Sequence, residues 1–317
     1  MKKVVFLFPG QGAQYPGMGK DFYDAFTIAK ETFQEADDLL QESLSKIIFE
    51  GPEELLTKTK NSQLAIFVVS VAITRVLQQQ LPSLVPVACS GLSLGEYSAL
   101  WATGRLSFKD ALLLVRERAR LMNEACEKVP GTMAAVLGMS AGEIDAALKG
   151  VPNVWVANYN CPGQTVISGT VDGVANGTQI LKAAGAKRII PLQVHGAFHS
   201  GLMRSAEEAL APFVSKAPLI ESSIGFVMNA PGNFVVSLEE IRRQLVSQIT
   251  HSVRWEQGIQ AIDKKGVDLY LEIGCGKTLC GLNKKIGATA PSLSIDKLVD
   301  LEGSLRQIEE DFACKPC

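Results

Sequence analysis

Val85-Pro86-Val87-Ala88-Cys89-Ser90 runs into Gly91-Leu92-Ser93-Leu94-Gly95, and Glu96-Tyr97-Ser98-Ala99-Leu100 follows. The apolar run Val85 to Cys89 suits a parallel strand buried on both faces. Pro86 is tolerable only near its start, because it has no N–H for the ladder. A helix is predicted from about Leu94. Strand, glycine-flanked turn and helix, with G-x-S-x-G at the junction, form the layout that lifts a serine hydroxyl above a sheet edge. Glycine on either side lets the backbone bend without Cβ clashes. The N–H of Leu94, at the start of the helix, would face an oxyanion formed at that serine. The same residues also fit an ordinary turn in which Ser93 caps the helix, so the reading depends on partners elsewhere in the chain.

Upstream, Val4 to Phe8 is a second continuous apolar run, ending at Pro9-Gly10. It reads as a buried parallel strand followed by the Gly-rich turn Gly10 to Gly17. Helical pattern then extends to about Ile48 and again from Ser62 to Gln79. Downstream, Leu106 to Lys128 is a long amphipathic helix stopped by Val129-Pro130-Gly131. From Gly131 the elements shorten. Strands are predicted at Thr132–Leu137, Val154–Ala157, Thr165–Ser168 and Arg188–Val194, with helices after Ser140 and over Val171–Ala184. That β-α-β-β-α-β order fits a ferredoxin-like subdomain. Helix–strand alternation resumes after His199, with a late strand at Val267–Ile273. The fold class is therefore α/β: a core with a parallel sheet, residues 1–129 and 196–317, interrupted at 130–195 by a small ferredoxin-like α+β subdomain.

Length and composition agree with this organisation. At about 150 residues per domain, 317 residues correspond to roughly two domains. With 31 Lys+Arg against 33 Asp+Glu the net charge is −2, without the basic excess of a nucleic-acid binder. Aromatic residues, 7% of the chain, are too sparse for a base-stacking platform. Leu64 to Ile73, interrupted by Ser70, is the longest apolar stretch and falls short of the ~20 residues of a membrane span. Val4 to Phe8 is too short for a signal peptide core. The expectation is a cytoplasmic protein. Its seven cysteines (89, 126, 161, 275, 280, 314 and 317) read as reduced thiols. Cys314 and Cys317, with Cys275 and Cys280, could be weighed as a zinc site, but the first pair sits at the chain end and the second has the wrong spacing.

A serine nucleophile needs a base, and the chain has three histidines: His195, His199 and His251. His195 and His199 flank a loop between a predicted strand and helix, and His251 also lies in loop-like sequence. His199 is our choice, though position alone barely separates the three. Nucleotide motifs fail. Gly10-x-Gly12 follows a strand, but Tyr15 stands at the third glycine of the dinucleotide fingerprint; Gly276-Lys277-Thr278 is like a P-loop ending, but Leu271 stands at its first glycine. One charge is out of place: Arg118 falls on the apolar stripe of Leu106–Lys128, between Val115 and Met122, while Arg116 and Arg120 lie on the opposite side. A buried arginine is either half of a salt bridge or a receptor for an anion, since its fork matches a carboxylate.

Together these segments resemble the malonyl-CoA:acyl carrier protein transacylase family. The resemblance is carried by Phe8-Pro9-Gly10-Gln11-Gly12-Ala13-Gln14, Gly91 to Ala99, Asn158-Tyr159-Asn160-Cys161-Pro162-Gly163-Gln164, Gly196-Ala197-Phe198-His199-Ser200, Val253-Arg254-Trp255 and Glu272 to Lys277, in order from about residue 4 to 286. It implies an α/β-hydrolase-like core, Ser93 as nucleophile and His199 as base. It implies an oxyanion hole from the N–H groups of Gln11 and Leu94, and Arg118 as receptor for the malonyl carboxylate. It implies a main-chain carbonyl, mapped onto Gln248, that orients the histidine. The activity implied is ping-pong transfer of malonyl from malonyl-CoA to the phosphopantetheine thiol of acyl carrier protein in fatty-acid synthesis, with no metal or redox cofactor. Four positions depart from the pattern: Leu92 replaces a common histidine, His195 a small serine, and Gly201 and Cys275 frequent prolines. A serine esterase on the same turn is the alternative enzyme reading, and Arg118 argues against it for neutral acyl groups. A carrier-protein-binding module with a dead site is the alternative outside enzymes.

Overall fold

Val4–Phe8 forms strand β1, buried along its whole length. The computed structural model describes residues 2–194 and 196–312. Beside β1 lies β2, Ala88–Gly91, also fully buried. Further along the chain β7 (Gly225–Met228), β8 (Asn233–Phe234), β10 (Leu269–Ile273) and β11 (Ser292–Ile295) complete a six-stranded sheet in the order β11-β10-β1-β2-β7-β8. All pairings are parallel except the edge pair β7–β8. Residues 88–91 therefore enter the sheet later than the apolar run suggested: Val85 and Val87 are 61% and 42% exposed. Val87 already donates its N–H to the Val4 carbonyl, but its side chain is partly open to solvent.

The helices cover this sheet. Thr59–Gln80 is buried almost all round, from Thr59 to Leu77. By length and composition it could cross a bilayer, yet 89% of its most apolar window is enclosed by protein, as in a central core helix. It packs on Phe108–Lys128, the phenyl rings of Phe67 and Phe108 stacking with centroids 5.8 Å apart. Burial of each such side chain contributes about 1.5–3 kcal/mol. Ser107 caps the second helix by accepting from the Asp110 N–H. The predicted single helical stretch before Ile48 is broken into Lys20–Ala25, Thr27–Leu40 and Leu44–Glu50. The breaks fall where Phe26 is extended and Gln41 left-handed, conformations that interrupt the i→i−4 ladder.

The second sheet has mostly antiparallel pairing. Thr132–Leu137 is β3, Val154–Cys161 β4, Gln164–Gly169 β5 and Arg188–Pro191 β6. With β9, Val253–Arg254, the order is β6-β3-β5-β4-β9. Helices Ala141–Leu148 and Val171–Ala183 lie over it, the first opened by a reciprocal capping box between Ser140 and Glu143. β9 comes from outside residues 130–195 and pairs parallel to β4 through Asn158 and Tyr159. A segment from outside the insert thereby completes the second sheet. β4 runs four residues beyond the Val154–Ala157 expected from apolar pattern, and β6 stops three residues short of Val194.

Candidate active site

Ser93 stands in the turn between β2 and the helix Gly95–Ala102. Its φ is +52°, a left-handed conformation that costs a non-glycine residue of order 1 kcal/mol or more and must be held by its surroundings. The hold is visible. Asn229 Oδ1 accepts the Ser93 N–H at 2.6 Å, and Gln248 Nε2 donates to the Ser93 carbonyl at 2.9 Å. Asn229 Nδ2 also donates to the Gly91 carbonyl at 2.7 Å, and Glu96 Oε2 accepts the Asn229 N–H. The flanking glycines are needed for space. A Cβ on Gly95 would lie 2.1 Å from the Phe8 carbonyl oxygen, and one on Gly91 would lie 2.0 Å from the Gly95 backbone. The turn is thus pressed onto the end of β1, where Gly10 and Gln11 follow.

His199 completes a hydrogen-bonded chain. Its Nε2 is 2.8 Å from Ser93 Oγ and its Nδ1 is 2.8 Å from the Gln248 carbonyl. A carbonyl only accepts, so the ring proton sits on Nδ1 and Nε2 offers its lone pair to the serine hydroxyl. Burial, and then the Arg118 charge, pull the His199 pKa down to about 4. The imidazole is therefore neutral, as a base must be. His199 too has a positive φ, +56°. His251 is exposed, its Nδ1 2.8 Å from the Ser247 carbonyl, and it does not reach Ser93. His195 lies outside the described residues.

Arg118 is brought to the same place. It is 1% exposed, and its guanidinium lies 5.2 Å from the Tyr97 ring centre. Nη2 donates to Gln248 Oε1 at 2.8 Å and to Ser93 Oγ at 3.2 Å; Nη1 donates to Gln63 Oε1. Among the described residues no carboxylate is within salt-bridge distance, so the salt-bridge reading of this arginine fails. A buried positive charge satisfied only by neutral acceptors is costly unless an anion arrives. The nearby Glu96 does not supply one readily: burial pushes its carboxyl up to about 8.

The backbone N–H groups of Gln11 and Leu94 have no protein acceptor among the described residues. A cavity of about 180 Å³ borders Gln11, Ser93 and His199. Leu92 also lines it, giving an apolar surface where the family pattern has histidine. The resources of acyl transfer are present: a hydroxyl, a base oriented by a carbonyl, two unpaired amide donors and a cation beside the hydroxyl. Among the described residues no group of three His, Cys, Asp or Glu is placed to hold a metal. Cys275 is buried, and Cys314 and Cys317 lie outside the described residues.

All six residues singled out from sequence and resemblance, Gln11, Ser93, Leu94, Arg118, His199 and Gln248, meet here. Gln63, Glu96 and Asn229 were missed. Gln63 carried a faint signal, a polar residue at the head of an apolar helix. Asn229 lies 136 positions from its partner Ser93, and nothing local marks it.

Comparison with known proteins gives one family. Residues 5–275 match the acyl transferase domain. The malonyl CoA-acyl carrier protein transacylase of Bacillus subtilis (strain 168) is 40% identical over 315 residues, covering 98% of this chain and 99% of the relative. That of Escherichia coli (strain K12) is 37% identical over 300 residues, covering 94% and 97%. Among solved structures, MCAT from Streptococcus pneumoniae superposes with a TM-score of 0.91 at 39% identity, over 96% of this chain and 100% of its own. A malonyl-transacylase in complex with a type II PKS acyl-carrier protein gives 0.92 at 38% identity, over 96% and 99%.

Proposed function

The chain belongs to the malonyl CoA-acyl carrier protein transacylase family and is an acyltransferase; from that premise we propose that it moves malonyl from malonyl-CoA to the phosphopantetheine thiol of acyl carrier protein, supplying fatty-acid elongation. The observation that carries the substrate is Arg118, a buried cation without a counter-anion that touches Ser93 Oγ. The malonyl carboxylate carbon is two bonds beyond the acyl carbon, within reach of a guanidinium so close to the nucleophile. Gln63 and Gln248 can turn their amide oxygens aside and leave the fork to a carboxylate.

The reaction runs in two halves. His199 Nε2 takes the Ser93 Oγ proton as the oxygen attacks the thioester carbonyl. The oxyanion takes the free N–H groups of Gln11 and Leu94, each such donor worth up to about 3–4 kcal/mol. The thiolate of CoA leaves with the proton from His199, giving malonyl-Ser93. In the second half the carrier thiol gives its proton to His199 and attacks the ester, and the proton returns to Ser93 Oγ as the new thioester departs. The Gln248 carbonyl holds the imidazole through both halves, so no acidic third member is required. Neither half uses a metal or redox group.

The architecture is assigned in the same reading. Residues 1–129 and 196–317 are taken as an α/β-hydrolase-like core and 130–195 as a ferredoxin-like subdomain. Counted within the insert, the strand order 4-1-3-2 under two helices supports the second part. Both substrates belong to cytoplasmic metabolism, and we place the protein there.

Intact-protein mass spectrometry after mixing with malonyl-CoA tests the scheme. One malonyl group is expected on the native chain and none on Ser93→Ala. His199→Ala is expected to slow acylation by roughly 10²–10⁴-fold, the usual range for a lost general base, while His251→Ala leaves it unchanged. Full labelling of Ser93→Ala would defeat the assignment.

A further inference from the structure

The nucleophile turn spends its amides unevenly. Of the five consecutive N–H groups from Leu92 to Glu96, three go to backbone carbonyls. Leu92 donates to Phe8 at 3.0 Å, Gly95 to Leu92 at 2.9 Å and Glu96 to Ser93 at 3.2 Å. Leu94 is left for the oxyanion. The Ser93 N–H finds no backbone acceptor among the described residues, and the side chain of Asn229 takes it. Asn229 follows β7 directly, two positions past Val227, the last residue of β7 paired with β2. It is 3% exposed, and each of its four polar groups is committed. Oδ1 accepts from Ser93, Nδ2 donates to the Gly91 carbonyl, the N–H goes to Glu96 Oε2, and the carbonyl accepts the Arg254 N–H at 2.9 Å. Glu96 is itself fully buried. A short primary amide is the side chain that accepts from Ser93 and donates to Gly91 at once.

We propose that Asn229 is a positioning residue for acyl transfer: anchored on Glu96, it holds Ser93 in the left-handed conformation and so decides which amide of the turn is left for the oxyanion. This rests on the functional reading above and deepens it. A left-handed serine is strained and persists only where its surroundings over-determine it. Without Asn229 the Ser93 N–H and the Gly91 carbonyl are both unpaired, and the turn relieves them by rotating Ser93 toward the ordinary right-handed region. That rotation carries Oγ away from His199 Nε2 and the Leu94 N–H away from the oxyanion. Arg118 stands on another helix and keeps Gln63 and Gln248 as acceptors. Loss of Asn229 therefore falls on the rate of the bound complex and not on binding.

The experiment follows acylation of Ser93 by mass with two donors, malonyl-CoA and p-nitrophenyl acetate, the second needing neither Arg118 nor a CoA site. Asn229→Leu, of similar size, keeps the packing and loses both side-chain hydrogen bonds. Its acylation rate at saturating malonyl-CoA is expected to fall roughly 10–10²-fold, the scale of a misplaced reacting group. The half-saturating concentration should not change, and the ester should slow by the same factor. Asn229→Asp restores the acceptor, and restores the donor once its carboxyl, raised by burial, is protonated. Of the groups facing the turn, Glu96 is pushed up to about 8, His199 is held down to about 4 and Arg118 stays charged. Between about pH 7 and pH 5 the introduced carboxyl is therefore the group that titrates there. The Asp variant should approach the native rate toward pH 5, while Asn229→Leu stays slow. Asn229→Leu at the native rate, a loss confined to the half-saturating concentration, or Asn229→Asp no faster than Asn229→Leu at pH 5 overturns the inference and leaves malonyl transfer standing. A native chain acylated by the ester and not by malonyl-CoA overturns the functional reading instead, and the variants compared on the ester still decide the role of Asn229.

Discussion

Arg105 and Arg118 lie at opposite ends of the same parallel sheet in surroundings of the same kind. Both are buried. Each stands near an aromatic ring, Phe226 at 5.9 Å and Tyr97 at 5.2 Å, and each has an Nε without a partner. They differ in what accepts from the fork. Arg105 donates to the carbonyls of Ile224 and Ser222, 2.8 and 3.1 Å away, in the backbone leading into β7. Arg118 donates to the side-chain oxygens of Gln63, Gln248 and Ser93, past the end of β2. Backbone carbonyls are fixed by the chain and cannot make room. Side-chain amides rotate and can. One end of the sheet therefore uses a buried cation to tie a loop down, while at the other the proposed function gives the cation an incoming anion to receive. The exposed strand ends of an open α/β sheet divide in the same way, ligands gathering at the carboxyl ends.

The largest expected effect tests that division directly. Arg118→Ala removes two charge-assisted hydrogen bonds to a carboxylate, so malonyl transfer is expected to fall by about 10²–10⁴-fold. Acetyl transfer should stay equal or rise, because acetyl leaves the buried guanidinium without a counter-anion in the native protein. Arg118→Lys should restore malonyl transfer only in part, since an ammonium cannot reproduce the fork. The measurement is kcat/KM for malonyl-CoA and acetyl-CoA. An unchanged ratio in a folded Arg118→Ala protein would make Arg118 a second Arg105.

Arg105→Ala should give the complementary result, smaller in activity and visible in stability. It removes two charge-assisted hydrogen bonds to the half-buried Ile224 and Ser222 segment, each such bond worth about 1.5–3 kcal/mol at most. Thermal unfolding should come several degrees earlier, at roughly 2–4 °C per kcal/mol for larger domains. The malonyl-to-acetyl ratio should not change. A shifted ratio in this variant would break the contrast from the other side.

The sequence made one half of this contrast legible. Arg118 could be read because helical spacing set it on the stripe of Val115 and Met122, where a charge is anomalous. Arg105 precedes the helix, between Gly104 and Leu106, where a charge is unremarkable, and its burial comes from a loop 119 positions away. The same limit hid Asn229 and Glu96: contacts made over more than a hundred positions leave no periodicity in a single chain. Apolar runs located β1, β2 and β10 because a strand buried on both faces has to be apolar throughout. They misplaced the start of β2, whose apolar lead-in is partly exposed, and the end of β4, where Asn158 and Asn160 line a cavity and interrupt the apolar pattern. Ser93 was legible through its glycines. The choice of His199 over His251 was not, because both lie in loops and only the fold carries one of them to within 2.8 Å of the serine.

The smallest effect concerns protons, and it separates the two ends without relying on substrate selectivity. His199 is held at about 4 by burial and, second, by the Arg118 charge. That is below the ordinary 6.5, so the free imidazole is neutral above about 4 and loses its role as pH falls through that value. Acetyl transfer, which does not bring an anion to Arg118, should then be flat from about pH 5 to neutrality and drop on an acid limb near 4. Glu96, the buried carboxyl that also faces Arg118, is pushed the other way to about 8 and titrates on the alkaline side. Arg118→Ala removes the second cause and leaves the first. The acid limb should therefore move upward, part of the way from 4 toward 6.5, and the variant should lose relatively more of its acetyl transfer at pH 5. Arg105→Ala, at the far end of the sheet, should leave the limb where it is. The pH dependence of kcat/KM for acetyl-CoA in the native protein and the two variants decides it. A limb that stays fixed in Arg118→Ala, or moves down, means that the Arg118 charge does not act on the base.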